Sequence, residues 1–300
     1  MNKPKLILHI GHPKTGTTSL QNYLLKNSSE LLKIGYLFPV RYSPSANHVI
    51  LPAGFLKKEA LWKFHSQFYR YLPTFYEGDF RRFWGALLED IKRHAPHTVI
   101  LSAEQLFKDY SELSHTSMGD FFKNYFSTVT VVSYVRSPVS DYFSRLAQRI
   151  RTGNPIPAPS CRPIREVISF YSSQFPGNVE VHPFDRKQLR GGDILQDFIS
   201  RYIPPALPAV EGAKTRAFNS SLPWSLLRVL QQIRQIAQPD RESPSISTKA
   251  RINQAIKDYL HLYPNEPVYK IGLKPEVVEY ISRSAIDYLW LREQFGVEFS

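Results

Sequence analysis

The chain has 300 residues, of which 42% are apolar and 21% charged, a composition typical of a soluble globular protein with one large α/β domain or two small ones. The single cysteine, Cys161, excludes an internal disulfide, which fits a reducing compartment. No apolar run is long enough for a signal-peptide core or a membrane span. We therefore expect a soluble, cytoplasmic protein without a transmembrane segment.

The net charge of +12 is open to several interpretations. It is compatible with high solubility, with weak attraction to nucleic acid and with peripheral contact to an acidic membrane surface. The basic residues are spread along the chain and form neither a tail nor a dense block, which disfavours a nucleic-acid partner. The charge instead favours a basic cleft that attracts anionic ligands.

The order of apolar segments along the chain predicts the fold class. Four apolar, β-branched runs have the character of buried strands: Leu6–Ile10, Thr98–Ser102, Val129–Val135 and Val179–Pro183. Helical patterns separate them, at Thr17–Lys26, Phe80–Arg93, Pro138–Arg151 (with Ser137 as N-cap) and after the capping residue Asp193. Strands that alternate with helices indicate an α/β fold with a mostly parallel central sheet, covered by helices on both faces.

The last third of the chain is predicted to be helical. Its candidate helices are Ser221–Gln238, Ser247–Leu262 and Pro275–Phe295. We expect a single domain of residues 1–300, in which residues 1–200 form the α/β core and residues 201–300 form a helical C-terminal region packed on it. Two Pro-rich segments, Asn154–Pro163 and Pro204–Pro208, are predicted to interrupt the helices.

The segment Leu6–Gln21 (LILHIGHPKTGTTSLQ) carries the strongest functional signal. Its apolar run ends at Gly11, and a loop of Gly, Pro, Lys and Thr leads into residues that can begin a helix. This order brings backbone N–H groups and the positive end of a helix to one anion. Lys14 adds a mobile cation, and hydroxyl donors follow at Thr15, Thr17, Thr18 and Ser19. The loop therefore predicts a phosphate ester as ligand.

Two more polar residues follow predicted strands. Ligands of parallel sheets bind at the carboxyl ends of the strands. Glu104 comes two residues after the strand Thr98–Ser102, and Arg136 comes directly after Val129–Val135. If these strands neighbour the first one, the Lys14 loop, a carboxylate and a guanidinium share one rim of the sheet.

The Lys14 loop departs from the Walker A pattern, in which lysine follows the second glycine, because Lys14 precedes Gly16. The segment PKTGTTSLQ instead resembles the 5′-phosphosulfate loop of sulfotransferases that use 3′-phosphoadenosine 5′-phosphosulfate (PAPS). A second hallmark of that family is an arginine at a strand end followed eight residues later by a serine, and SYVRSPVSDYFS has Arg136 and Ser144 at this spacing. Weaker similarity to bacterial carbohydrate-type members lies in GYLFP, ILSAEQLF and HPFDRKQLRGGDILQDFI.

The resemblance implies a P-loop-type three-layer fold and a metal-independent transfer of the sulfuryl group from PAPS to a hydroxyl, with adenosine 3′,5′-bisphosphate (PAP) as product. Lys14 would contact the bridging oxygen and the departing 5′-phosphate. The cradle of that phosphate would comprise Thr15, Gly16, Thr17, Thr18 and Ser19. Arg136 and Ser144 would bind the 3′-phosphate. Glu104 would accept the proton of the acceptor as general base. We find no His/Cys cluster with metal-ligand spacing.

Several of these residues are open to a second interpretation. Glu104 is also a candidate helix-start carboxylate that is stabilised by the helix dipole. His48 (in SANHVILP) is the rival candidate for the base, or alternatively a contact to the substrate. Arg136 is alternatively a cap for sheet carbonyls or a partner of Asp141. His12 lies inside the phosphate loop, and we assign it no role.

The acceptor is indicated only by class. Glutamate at this strand end is typical of carbohydrate-modifying members of the family, whereas small-phenol and steroid enzymes have histidine there. The resemblance thus favours a hydroxyl of a carbohydrate or glycolipid. Sugar-stacking surface is available on four aromatic residues, which core packing explains equally well: Tyr42, Trp62, Phe64 and Tyr69. The family's C-terminal Arg-Lys-Gly element is not found, and the candidate substitute for adenine binding is Gly212–Ser221, with Lys214, Arg216 and Asn219.

Two other functions remain open on the sequence alone. A P-loop phosphotransferase would bind a nucleoside triphosphate with magnesium, but the chain lacks a Walker A lysine. A polyanion- or nucleic-acid-binding protein without enzymatic activity would rest on the charge of +12 and would leave the spacing of Arg136 and Ser144 unexplained.

Overall fold

The computed structural model of the chain describes residues 2–42, 46–56, 77–113, 118–152, 154–210, 224–237, 246–263 and 273–299. Within these ranges, five strands form one sheet in the order β2-β3-β1-β4-β5, and all four pairings are parallel. The strands are β1 (Lys5–His9), β2 (Tyr36–Leu37), β3 (Thr98–Ser102), β4 (Thr128–Val135) and β5 (Val179–Pro183). The predicted parallel sheet is confirmed, and β1 lies at its centre.

The two faces of the sheet carry separate hydrophobic cores, because successive side chains of a strand point to opposite faces. Leu6 and Leu8 of β1 pack in one core, and Ile7 packs in the other. The Leu6 side is covered by α3 (Glu77–His94), α4 (Glu104–Lys108), α5 (Met118–Lys123) and α7 (Ile164–Gln174). The Ile7 side is covered by α1 (Thr17–Lys26), α2 (Ser28–Lys33) and α8 (Ile194–Tyr202). The result is the predicted three-layer α/β arrangement.

The chain divides into two compact units. The first comprises Met1–Arg136, Pro163–Arg216 and Asp287–Ser300 and contains the sheet. The second comprises Ser137–Arg162 and Ala217–Ile286, and its described part is helical. Its helices are α6 (Pro138–Arg151), α9 (Trp224–Ala237), α10 (Ile246–Leu262) and α11 (Pro275–Arg283). Helix α6 thus groups with the helices of the last third, while most of α12 (Ile286–Phe295) groups with the sheet.

The core of the second unit joins three helices. Ile150 of α6 is buried against Leu226, Leu227 and Leu230 of α9 and Ile256 of α10. Each of these apolar side chains removes surface from water, which stabilises the unit by roughly 1.5–3 kcal/mol per residue. The predicted division into a core of residues 1–200 and an extension of residues 201–300 stays a prediction.

Several helix bounds agree with the sequence prediction. Helices α1 and α6 have the predicted first and last residues. Pro138 opens α6, because its fixed φ suits the first helical position and its missing N–H needs no partner there. Helix α8 begins after Asp193, whose Oδ1 accepts a hydrogen bond of 2.8 Å from the N–H of Leu195. Ser137 precedes α6, but its side chain makes no capping hydrogen bond.

One predicted element needs correction. The predicted helix over 275–295 is two helices, because the N–H of Ala285 donates to the carbonyl of Ser282, three residues back, at 3.3 Å and so leaves the α-helical pattern. The Pro-rich segment after α8 forms a 3₁₀ helix, Pro204–Ala209. In the part of the chain that the structure describes, no helix has both the length and the apolar character needed to cross a bilayer.

Candidate functional site

The loop between β1 and α1 has an unusual backbone conformation. Lys14 has a φ of 73° and Gly16 a φ of 76°, a region that side chains disfavour. At Gly16 a Cβ would also lie 2.8 Å from Cγ2 of Ile194, so both backbone and space require glycine there. The N–H groups of Ser19 and Leu20 donate to the Gly16 carbonyl at 3.0 and 3.2 Å, and α1 begins at Thr17. The N–H groups that precede them lie at an uncapped helix start, which favours an anion.

Two of the four hydroxyl groups that follow Lys14 are buried and bonded within the protein, and the other two are more exposed. Thr15 Oγ1 donates to the carbonyl of His12 at 2.6 Å, and Thr17 Oγ1 donates to Oε2 of Glu104 at 3.2 Å. Both threonines are buried, whereas Thr18 is exposed and Ser19 is half-buried. Because a hydroxyl has only one proton to donate, the expected phosphate contacts of Thr15 and Thr17 fall to their backbone N–H groups.

The sheet brings three candidate groups to one rim, at the carboxyl ends of its strands. Strand β1 pairs in register with both β3 and β4, with His9 opposite Ser102 on one side and Val132 on the other. The Lys14 loop, Glu104 and Arg136 follow the carboxyl ends of these three strands. Hydrogen bonds connect them, because Nη1 of Arg136 donates to the carbonyl oxygen of Lys14 at 3.3 Å and Thr17 of the loop donates to Glu104. The predicted neighbour relation of the strands is confirmed.

Arg136 is held from several directions. Its guanidinium carbon lies 5.7 Å from the ring centroid of Phe184, which follows β5. Its carbonyl oxygen accepts a hydrogen bond of 2.7 Å from the hydroxyl of Tyr288. The side chain is half-buried. The contacts with Phe184 and with the carbonyl of Lys14 hold the guanidinium near the Lys14 loop, where an anionic group would be attracted.

Glu104 is the first residue of α4. It follows Ala103, which has an extended backbone and is buried. A carboxylate in the first turn is stabilised by the helix dipole, so the second interpretation of Glu104 also agrees with its position. The side chain is half-buried and accepts a hydrogen bond from the hydroxyl of Thr17. Its place on the rim is compatible with both a helix-start residue and a base.

His48 is buried beneath the end of β3. Its Nδ1 accepts from the N–H of Ser102 at 2.9 Å, and its Nε2 donates to the carbonyl of Pro39 at 2.9 Å. Burial lowers the pKa of His48 to about 4, which the hydrogen bond to Pro39 only partly offsets. Because both ring nitrogens are hydrogen-bonded to backbone groups, His48 has a structural role. Its rival role as a base stays a prediction that these hydrogen bonds disfavour.

A buried polar network below the rim was not predicted from the sequence. Oγ of Ser102 lies 2.8 Å from Nδ1 of His9 and accepts a hydrogen bond of 3.0 Å from Nε2 of Gln21. All three residues are buried, and burial lowers the pKa of His9 to about 4. The sequence held one indication of this network, because Gln21 follows Thr17 by four residues and therefore lies on the same face of the helix.

Ser144 lies in α6 of the second unit and is half-buried, four residues after Ser140. In the same unit the buried Asp141 pairs with Arg145 at 2.9 Å and with Arg162 at 3.1 Å. The hydroxyl of Tyr142 donates to the carbonyl of Pro157 at 3.0 Å. These bonds attach the predicted loop Asn154–Pro163 to α6. The pairing of Ser144 with Arg136 stays a prediction.

Of the remaining candidates, most lie outside the described residues. Tyr42 is 63% exposed. Trp62, Phe64, Tyr69 and the segment Gly212–Ser221 lie outside the described residues. Cys161 is half-buried, and its Sγ lies 3.5 Å from the carbonyl of Ile281. Among the residues that the structure describes, no group of three or more His, Cys, Asp or Glu is arranged to hold a metal ion.

Comparisons with known proteins complete the description. No family model and no curated protein matches the chain. A sulfotransferase from Alicyclobacillus acidocaldarius is 15% identical with a TM-score of 0.37, over 99% of this chain and 98% of that one. The sulfotransferase domain from the curacin biosynthetic pathway is 13% identical with a TM-score of 0.27, over 95% and 99%. Retinol dehydratase in complex with androsterone and inactive cofactor PAP is 13% identical with a TM-score of 0.28, over 96% and 81%. At these values the likeness reaches no further than the fold.

Proposed function

We propose that this protein is a sulfotransferase that moves a sulfuryl group from PAPS to a hydroxyl of a carbohydrate or glycolipid. One observation carries the proposal. The uncapped loop at Lys14, the carboxylate of Glu104 and the guanidinium of Arg136 follow three adjacent strands and are connected by hydrogen bonds at one rim. A donor with two anionic ends and an acceptor that must lose a proton need these three kinds of group together.

The loop residues supply the binding of the 5′-end. Gly16 allows the backbone to turn at a φ of 76°, and the helix start behind it offers N–H groups to a phosphate. Thr18 and Ser19 add the outer hydroxyls. Lys14 supplies a positive charge for the phosphate oxygen that gains electrons as the sulfur–oxygen bond breaks, so that no metal is required for this charge.

Arg136 supplies the second anion contact. A guanidinium can bind a phosphate with two parallel N–H donors, which adds geometric specificity to charge attraction. Its contacts with Phe184 and the Lys14 carbonyl hold it beside the loop. We assign it to the 3′-phosphate of the donor, together with Ser144. This contact would distinguish PAPS from nucleotides that lack a 3′-phosphate.

Glu104 is the proposed general base. The acceptor oxygen forms a bond to sulfur, its proton passes to the carboxylate of Glu104, and the electron pair of the breaking bond stays on the 5′-phosphate of PAP. Glutamate in this place favours a sugar hydroxyl on the family resemblance. Lys14 and Arg136 offset the negative charge of the donor within the same rim.

A thermal-shift comparison of PAP, AMP and magnesium ATP tests the proposal. We expect strong stabilisation by PAP and weak stabilisation by AMP, because only PAP has the 3′-phosphate. Arg136→Ala should abolish the difference between PAP and AMP. Arg149→Ala, an exposed arginine of α6, is the matched control and should keep it.

Two results would overturn the proposal. Greater stabilisation by magnesium ATP than by PAP would indicate a phosphotransferase. Equal stabilisation by all three nucleotides, lost in high salt together with oligonucleotide binding, would indicate a polyanion-binding protein.

A further inference from the structure

Helix α1 contacts the end of β3 through two side-chain hydrogen bonds. Thr17 Oγ1 donates to Oε2 of Glu104 at 3.2 Å, and Gln21 Nε2 donates to Oγ of Ser102 at 3.0 Å. The donors are four residues apart on one face of the helix, and the acceptors are two residues apart at the strand end. The helix that follows the phosphate loop is thereby bonded directly to the segment that carries the candidate base.

The strand side of this contact is firmly held. The N–H of Ser102 donates to Nδ1 of His48, and the N–H of His48 donates back to the carbonyl of Ser102, both at 2.9 Å. The hydroxyl of Ser102 also lies 2.8 Å from Nδ1 of His9. Ser102, His9 and His48 are at most 1% exposed. Every polar group of Ser102 therefore has a partner in the dry interior, which fixes the position of the strand end.

The helix side is equally restricted. Thr17 is 4% exposed, and a Cβ at Gly11 would collide with its Cγ2 methyl group. Gln21 is also 4% exposed. A β-branched side chain confined in this way keeps one χ1 rotamer, so its hydroxyl stays directed at Glu104. Gly11 leaves the space in which the methyl group lies.

We propose that Thr17 and Gln21 form a two-point bridge that sets the position of the Glu104 carboxylate relative to the phosphate loop, with Thr17 as a positioning residue of the reaction. This inference rests on the proposed function and assigns Thr17 differently from its neighbour Thr18. Thr18 acts on the donor phosphate through an exposed hydroxyl, whereas Thr17 acts on the base. Binding of the donor at the start of α1 and placement of the base are then mechanically coupled.

Three variants test the bridge. Thr17→Val keeps the shape of the side chain but removes the hydroxyl, Thr17→Ser keeps the hydroxyl, and Gln21→Met removes the second donor at similar volume. Thr18→Val is the matched control, because it removes the adjacent hydroxyl that does not contact Glu104. Crystal structures of each variant with PAP report the position of the carboxylate, and PAP release from PAPS with lactose, chitobiose and maltose reports turnover.

We expect Thr17→Val to displace the Glu104 carboxylate by about 1 Å or to split it into several conformers, and to lower kcat about 10- to 100-fold. KM for PAPS should change by less than about 3-fold, since the backbone N–H groups remain. Thr17→Ser should recover kcat to within about 3-fold of the wild type and restore the carboxylate position. Gln21→Met should move the carboxylate in the same direction by a smaller amount. Thr18→Val should raise KM for PAPS and leave Glu104 in place.

An unmoved Glu104 with unchanged kcat in Thr17→Val would overturn the bridge. So would a loss of kcat that Thr17→Ser shares, because the hydroxyl would then be irrelevant. These outcomes are distinct from failure of the proposed function, which would appear as wild-type protein that binds PAP no better than AMP in calorimetry. In that case the carboxylate position in ligand-free crystals of the same variants still decides whether the bridge exists.

Discussion

Glu104 combines two electrostatic properties at a single position. As the first residue of α4 it is favoured by the helix dipole, and as a member of the rim it faces the end of the phosphate loop through Thr17. The first property affects the stability of helix α4, and the second bears on the proposed role of Glu104 as a base. A substitution that keeps shape and hydrogen bonding but removes the charge separates them.

We expect Glu104→Gln to lower kcat by about 10²- to 10⁴-fold, because an amide cannot accept the proton of the acceptor. Binding of PAP should change little, since the two proposed phosphate contacts, the Lys14 loop and Arg136, lie elsewhere on the rim. Calorimetry with PAP and turnover of PAPS are the two measurements. Glu30→Gln, an exposed residue of α2, serves as control and should leave both unchanged. A parallel loss of PAP binding and turnover in Glu104→Gln would remove its role as base.

For single residues, the sequence predicts which residue types form the candidate site better than it predicts where their side chains point. The motif indicated a phosphate loop, but not that Thr15 and Thr17 turn their hydroxyls inward. That direction depends on the left-handed backbone at Lys14 and Gly16. The space at Gly16 is limited by Ile194, which lies far along the chain. A contact between such distant residues cannot be derived from local spacing.

Helix α8 is attached to the sheet by a buried charge network. Asp197 accepts from the hydroxyl of Tyr134 at 2.7 Å, from the backbone N–H of Arg190 at 3.0 Å and from Nε of Arg201 at 2.7 Å. Burial alone would raise the pKa of Asp197, but the hydrogen bonds from Arg201, Arg190 and Tyr134 outweigh it, and the pKa is lowered. Burial, followed by the Asp197 charge, raises the pKa of Tyr134 well above its usual value.

We expect Asp197→Asn to lower the free energy of unfolding by about 2 kcal/mol, because it removes the charge from a buried, fully bonded carboxylate. Partial exposure of Arg201 keeps the loss below that of a fully buried pair. Glu279→Gln is matched in spacing, as Glu279 and Arg283 are also four residues apart, but both are exposed. Its effect should stay within about 0.5 kcal/mol. Urea denaturation measures both variants, and equal losses would contradict the role of burial.

The length of a helix or strand largely decided whether the sequence predicted it. Four strands and the longer helices had enough residues to show a period, whereas β2 and helices α2, α4 and α5 have between two and six residues. Helix α7 was detectable. Its buried residues Ile164, Val167, Ile168 and Tyr171 follow helical spacing, but no prediction was made for this segment, which directly follows the predicted loop Asn154–Pro163.

On the scale of the whole molecule, two buried histidines make stability depend on pH. Burial lowers the pKa values of His9 and His48 from 6.5 to about 4. Between these values the unfolded chain binds a proton at each histidine and the folded chain does not. The contribution of these two histidines to the free energy of unfolding is therefore fully present above pH 6.5, and it is lost as the pH falls towards 4.

At pH 5 we expect each of these histidines to lower the free energy of unfolding by about 2 kcal/mol relative to pH 7. Scanning calorimetry at both pH values measures the change. His48→Asn keeps an acceptor for the N–H of Ser102 but cannot titrate, so it should reduce the difference between the two pH values. His261→Asn, at an exposed position of α10, should not. An unaltered difference in His48→Asn would show that the acid sensitivity has another source.

The central position of β1 has a consequence for how the protein is made. Strand β1 and the Lys14 loop precede both neighbours of β1 along the chain, because those strands end at Ser102 and Val135. Over a hundred residues of nascent polypeptide must emerge before those neighbours can assemble around it. The candidate anion site is thus completed only after Val135 has been synthesised, and a nascent chain that ends before that residue holds the Lys14 loop without both neighbouring strands.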